Sequence, residues 1–75
     1  MLKINSKYRL CDLTGTVYET TLKGQKCYVY RIRFHKQIVG RSYVYFNNAG
    51  DCIDHMRSDM EQIFDSGKLE MIHYI

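Results

Sequence analysis

The sequence predicts an α+β fold: an antiparallel sheet of three to four strands with one amphipathic helix packed on one face, in the order β-β-β-α-β, all within a single domain spanning residues 1–75. Three observations carry this reading. Residues 27–35 alternate, with Tyr28, Tyr30, Ile32 and Phe34 on one side and Val29, Arg31, Arg33 and His35 on the other, the period of two that a strand imposes. Lys23-Gly24-Gln25 supplies a turn just before that strand. Apolar residues between 49 and 66 recur at helical spacing behind a capping residue.

In chain order, the threonine-rich run TGTVYETTL within residues 10–22 suits a strand, because β-branched and aromatic side chains pack well on a pleated surface. A weaker strand over residues 8–13 would precede it. After the strand of residues 27–35, residues 41–46 alternate again, with Val44 and Phe46 opposite Arg41, Tyr43 and Tyr45. The register between these two strands depends on their connection, since a slip of one residue turns every side chain over. A two-residue turn would set Arg31 beside Val44. A three-residue loop, Ile38-Val39-Gly40 with a left-handed Gly40, is preferred, because it gathers Tyr28, Tyr30, Ile32, Phe34, Val44 and Phe46 on one buried face and aligns the arginines with Arg41, Tyr43 and Tyr45.

Asn48 followed by Asp51 forms a capping arrangement for a helix over residues 49–66. Its apolar stripe is Ile53, Met56, Met60, Ile63 and Phe64, and its outer side carries Asp51, Asp54, Ser58, Glu61, Gln62 and Asp65. Gly67 is a natural stop. Residues 68–75 alternate Leu69, Met71, His73 and Ile75 against Glu70, Ile72 and Tyr74, the pattern of a last strand.

Composition narrows the function. The chain has no proline and its cysteines, Cys11, Cys27 and Cys52, are odd in number and lack C-x-x-C spacing. That argues against a disulfide framework and for a reducing, cytoplasmic setting. No stretch approaches the roughly 20 apolar residues of a membrane span, so no membrane partner is expected. The net charge of +3 conceals a division: residues 1–50 hold nine Lys/Arg against two Asp/Glu, and residues 51–75 hold two against six. Such asymmetry bears on partners and steering rather than on fold.

One helix covers one face of a sheet, and the other face must meet water or a partner. The uncovered face is expected to carry Val29, Arg31, Arg33, His35, Arg41, Tyr43 and Tyr45. Arginine offers a rigid fork of donors to phosphates or carboxylates, and tyrosine offers stacking area with a polar tip; both are enriched in interface hot spots. An ordinary solvated face is the plain alternative, although lysine and threonine would solubilise a strand with less adhesive surface. The acidic outer side of the helix reads as a solvated face, or as a surface for self-association, acidic helix on basic sheet, in a homodimer.

Cys52 and His55 stand three apart on the helix, half of a metal site that only His35, His73, Cys11 or Cys27 could complete through the fold. No metal and no cofactor is expected. No third residue orients a Cys52/His55 nucleophile, and no G-x-x-x-x-G-K-[ST], G-x-G-x-x-G, H-E-x-x-H or G-x-S-x-G occurs. The reading is a non-enzymatic binding protein.

Gly24, Arg31, Arg33, Gly40, Arg41 and Phe46, placed along three strands and a helix, resemble the AP2-type and integrase arm-type DNA-binding domains, which lay a three-stranded sheet into the major groove. From Tyr28 onward, the order hairpin, helix, strand is similar to small phage-encoded proteins that disable host machinery or bacterial immunity. The second resemblance implies an inhibitor or regulator that blocks a larger host protein or nucleoprotein complex by charge complementarity. The first implies duplex DNA as the partner, with the arginines on bases and Lys23, Lys26 and Lys36 on phosphates. The expected binding residues are therefore Arg31, Arg33, His35, Arg41, Tyr43, Tyr45, Lys23, Lys26 and Lys36.

Overall fold

Short turns dictate the sheet. A computed structural model describes residues 2–66 of the chain and contains β1 (Lys3–Leu10), β2 (Leu13–Leu22), β3 (Gln25–Phe34), β4 (Gln37–Arg41) and α1 (Ala49–Asp65). Cys11-Asp12, Lys23-Gly24 and His35-Lys36 join successive strands. Connections this short permit only antiparallel neighbours, and the sheet is a meander in the order β1-β2-β3-β4. Lys23 and Gly24 take φ of 53° and 80°, the left-handed pair that a tight hairpin requires. The architecture is the α+β arrangement that alternation and helical period predict. The expected strand over 68–75 and the Gly67 stop lie outside the described residues.

The second hairpin departs from expectation. The chain turns at His35-Lys36, with His35 at φ 57°, so Ile38, Val39 and Gly40 belong to β4 rather than to a loop. Gly40 is not left-handed; Gly24 is the positive-φ glycine among the described residues. Register shifts between Ile32↔Gly40 and Arg33↔Ile38, leaving Val39 as the extra residue of a bulge. That bulge, not a loop, sets Arg41 opposite Arg31. β4 then ends at Arg41, and the expected strand over 41–46 is reduced to an isolated bridge between Phe46 and Tyr28. Val44, expected inside, is 60% exposed.

The helix start is as expected. The Asp51 N–H donates to Asn48 Oδ1 at 2.8 Å, and Asn48 Nδ2–H donates back to Asp51 Oδ2 at 3.1 Å, satisfying a backbone donor that the first turn leaves free. Cys52, Met56, Met60 and Ile63 form the buried line of α1. Phe64, expected on that stripe, sits one step round the helix and is 43% exposed. The line packs over Gly15, where an added Cβ would stand 2.7 Å from the sulfurs of both Met56 and Met60. Glycine is needed there for close approach of helix to sheet.

Leu13, Val17, Tyr30, Ile32 and Phe34 supply the sheet's half of the core, with Tyr28 and Phe46 packed against it. Tyr30 Oη donates to Asp59 Oδ2 at 3.1 Å, a polar tie between the two layers. Burial first, and then the Asp59 charge, raise the Tyr30 pKa above the ordinary tyrosine value. Among the described residues, α1 is the single layer on the sheet and no second layer covers the opposite face. No helix among them is long and apolar enough to cross a membrane.

Candidate functional site

Directly paired residues in an antiparallel sheet share a face, so register assembles the site. One row across the uncovered face reads Lys7, Thr16, Arg31, Arg41, and the next reads Arg9, Thr14, Arg33, Ile38. Tyr18 lies opposite Val29 on the flank of the first row. With neighbouring strands about 4.8 Å apart and alternate residues about 7 Å apart, the cations fall within roughly 14 Å across and 7 Å along the strands. Each cation therefore lies within about one Debye length, about 8 Å at physiological salt, of a neighbouring cation, although the whole array spans nearly two. The array therefore acts as one positive field rather than as separate charges.

Tyr18 is the organising group. Arg33 Nη1 donates to Tyr18 Oη at 3.0 Å, and the Arg31 guanidinium lies 5.2 Å from the centre of the same ring, within cation–π range. Partial burial alone would raise the Tyr18 pKa, but the hydrogen bond and charge of Arg33, with Arg31, outweigh it and bring the phenol below its ordinary value. Thr16 is 2% exposed, a short side chain between Lys7 and Arg31 in the row. Neither row contains a carboxylate. Lys26–Glu19, an ion pair at 3.8 Å, lies on the helix-facing side, because Glu19 pairs with the core-packed Tyr28.

Position within the sheet divides these charges into edge and interior groups. Lys7 and Arg9 stand on β1, an edge strand, where cations commonly serve to discourage edge-to-edge pairing. Arg31 and Arg33 stand on β3, which has hydrogen-bonded neighbours on both sides. Edge protection cannot explain them. Arg31 faces Arg41 directly, and like charges placed opposite each other destabilise a sheet.

The sequence-predicted residues divide into those the fold gathers and those it separates. Arg31, Arg33 and Arg41 share the face, and Tyr43 joins them, its ring 5.3 Å from the Arg41 guanidinium. Tyr43 and Tyr45 are not strand residues; they are 86% and 57% exposed in the segment between β4 and the Phe46 bridge. Val29, Arg31, Arg41, Ser42, Tyr43 and Tyr45 border an open cleft of ≈ 330 Å³. His35 and Lys36 form the β3–β4 turn, with the His35 ring 4.4 Å from Phe34. Lys23 sits in the β2–β3 turn, at the far end of that hairpin, and Lys26 is on the helix side. These four are displaced from the rows by turn geometry and strand parity.

Comparison of the chain with protein-family models, curated proteins and solved structures finds no match. The site must speak through its own geometry.

Lys7, Arg9 and Tyr18 are the members that single-strand alternation overlooks. Counting outward from Lys23-Gly24 would have found Tyr18, since a two-residue turn pairs Leu22 with Gln25 and hence Tyr18 with Val29. Pairing outward from the Cys11-Asp12 turn, Leu10 with Leu13, sets Arg9 opposite Thr14 and Lys7 opposite Thr16 in the same way. The Cys52/His55 pair is split by the fold. Cys52 is wholly buried, its thiol pushed up to about 11 by that burial, whereas His55 is exposed and its ring lies 4.9 Å from that of Phe46. Among the described residues, no three His, Cys, Asp or Glu side chains cluster as metal ligands.

Proposed function

We propose that this chain is a non-enzymatic binding protein that docks through its cationic sheet face onto an acidic or nucleic-acid-related site of a larger protein or nucleoprotein, and acts there as an inhibitor or regulator. The observation that carries the reading is the direct opposition of Arg31 and Arg41 beside Arg33, on two strands, β3 and β4, that contain no carboxylate. An array of like charge is self-repelling in the free protein, and a polyanionic partner relieves it. Charge complementarity then steers encounter, and the guanidinium and phenol groups become buried anchors.

Replacing Arg31 and Arg33 by Glu tests this. The double variant is expected to lose binding to polyanions, read with heparin-column retention and with labelled oligonucleotides, while keeping the far-ultraviolet spectrum of the wild type. Retention equal to that of the wild type would remove the reading.

Duplex DNA is a second reading, favoured by the placement of α1 on the side away from the arginines, which leaves the sheet free to face a groove. In that case Lys7 and Arg9 take the phosphate contacts expected of Lys23 and Lys26. Binding to duplex would show a steep fall with salt, because each phosphate contact releases counterions.

A further inference from the structure

We infer that the ligand of the cationic face is single-stranded nucleic acid, with Arg31, Arg33 and Arg41 on its phosphates and Tyr43 and Tyr45 stacked on its unpaired bases. This rests on the docking surface proposed above and names its occupant.

Beyond β4 the two facing segments differ in length. Ser42 is fastened to Tyr30 by two bonds: the Ser42 N–H donates to the Tyr30 carbonyl at 3.0 Å, and the Tyr30 N–H donates to Ser42 Oγ at 3.1 Å. Phe46 is fastened to Tyr28 by two more, at 2.8 and 2.9 Å. Between these anchors β3 has Val29 alone, and the facing chain has Tyr43, Val44 and Tyr45. The surplus is looped out. It cannot turn inward, because the helix side is filled by Tyr30, Phe46 and His55, whose rings pack together.

The result is a short apolar and aromatic projection, 86%, 60% and 57% exposed at successive residues, pinned at both ends beside the cation rows. Exposed aromatic rings held next to guanidinium groups are what binding to single strands uses: a positive track for the backbone, and rings on which bases stack whatever their identity. A duplex conceals its base faces within the stack and would leave Tyr43 and Tyr45 with nothing to cover. An acidic protein surface answers the arginines but offers no run of flat π-faces. The cleft of ≈ 330 Å³ between loop and sheet lies in the size range of sites for small organic groups, about 300–1,000 Å³.

The test uses the full chain and fluorescence anisotropy with labelled oligothymidylate, oligouridylate, a duplex of equal length, and polyglutamate. The first two probes separate DNA from RNA, and tight binding of either supports the proposal. The wild type is expected to bind a single strand at least about tenfold more tightly than the duplex, and Tyr43→Ala/Tyr45→Ala to lose about tenfold or more, given the usual contribution of base–aromatic stacking. Tyr43→Phe/Tyr45→Phe, which keeps the rings, is expected to retain affinity. Equal affinity for single strand and duplex, with the alanine variant unaffected but Arg31→Glu/Arg33→Glu inactive, would overturn base stacking while leaving the charged docking face intact. Preference for polyglutamate would overturn nucleic acid as the occupant. Loss of binding to every probe would overturn both.

Discussion

Arg31 on β3 stands directly opposite Arg41 on β4. Cross-strand pairs are worth a few tenths to about 1 kcal/mol, and like charges act against the sheet. The arrangement opposes the sheet in the free protein, and the proposed docking rests on it.

Arg41→Thr should therefore stabilise the chain, by up to about 1 kcal/mol, while weakening affinity for polyanions. Urea unfolding at low salt reads the first effect and anisotropy the second. Added salt screens exposed charges, so the stability difference between wild type and variant should shrink as salt rises. A variant less stable than the wild type at low salt would mean that Arg41 contributes more by packing than it costs by repulsion.

Tyr18 and Tyr30 should titrate in opposite directions. Tyr18, held by Arg33 and Arg31, ionises below the ordinary tyrosine value of about 10; Tyr30, buried beside Asp59, ionises above it. A lowered folded-state pKa contributes stability above the unfolded pKa and loses it as pH falls through the folded value, so the contribution of Tyr18 ionisation belongs to the alkaline side and fades as pH falls. A raised one contributes below the unfolded pKa and loses it as pH rises through the folded value. Tyr30 therefore makes the fold alkali-sensitive above about pH 10. Spectrophotometric titration should show an early phenolate that disappears in Tyr18→Phe and moves upward in Arg33→Gln. Tyr30→Phe should flatten the alkaline loss of stability. An unchanged early phase in Arg33→Gln would contradict the hydrogen bond.

Gly15→Ala should destabilise the fold by about 1–3 kcal/mol, the usual cost of overpacking, because its Cβ would stand 2.7 Å from two methionine sulfurs. Both side chains are flexible, so the variant should still fold. Thermal unfolding measures the effect, and a neutral result would show that Met56 and Met60 move aside from the added methyl group at no cost.

Much of this was legible in local chemistry. Asn48 and Asp51 announced the helix start, Gly24 announced a hairpin, and the alternation of residues 27–35 separated the core face from the arginine face. What was not legible depended on tertiary arrangement. The His35-Lys36 turn contains no glycine, and the chain accepts a left-handed histidine to make it; the bulge at Val39 then restores the face that a two-residue turn alone would have inverted. Tyr43, Val44 and Tyr45 alternate like a strand, yet both anchors on β3 are already taken. Cys52 begins the buried line of α1 because it lies in the same row as Met56, Met60 and Ile63, and Phe64 falls at the margin of that row. Tyr18, Lys7 and Arg9 belong to the site through register, a property of paired strands that no single strand displays.

The most direct measurement follows the arginine side-chain Nε–H resonances while oligothymidylate is added to the full chain. Arg31, Arg33 and Arg41, on the open sheet face, are expected to shift together and saturate together, with Arg57 on α1 unmoved. Perturbation of Arg57 alone, with the three sheet arginines unchanged, would place the binding surface on the helix and contradict the account.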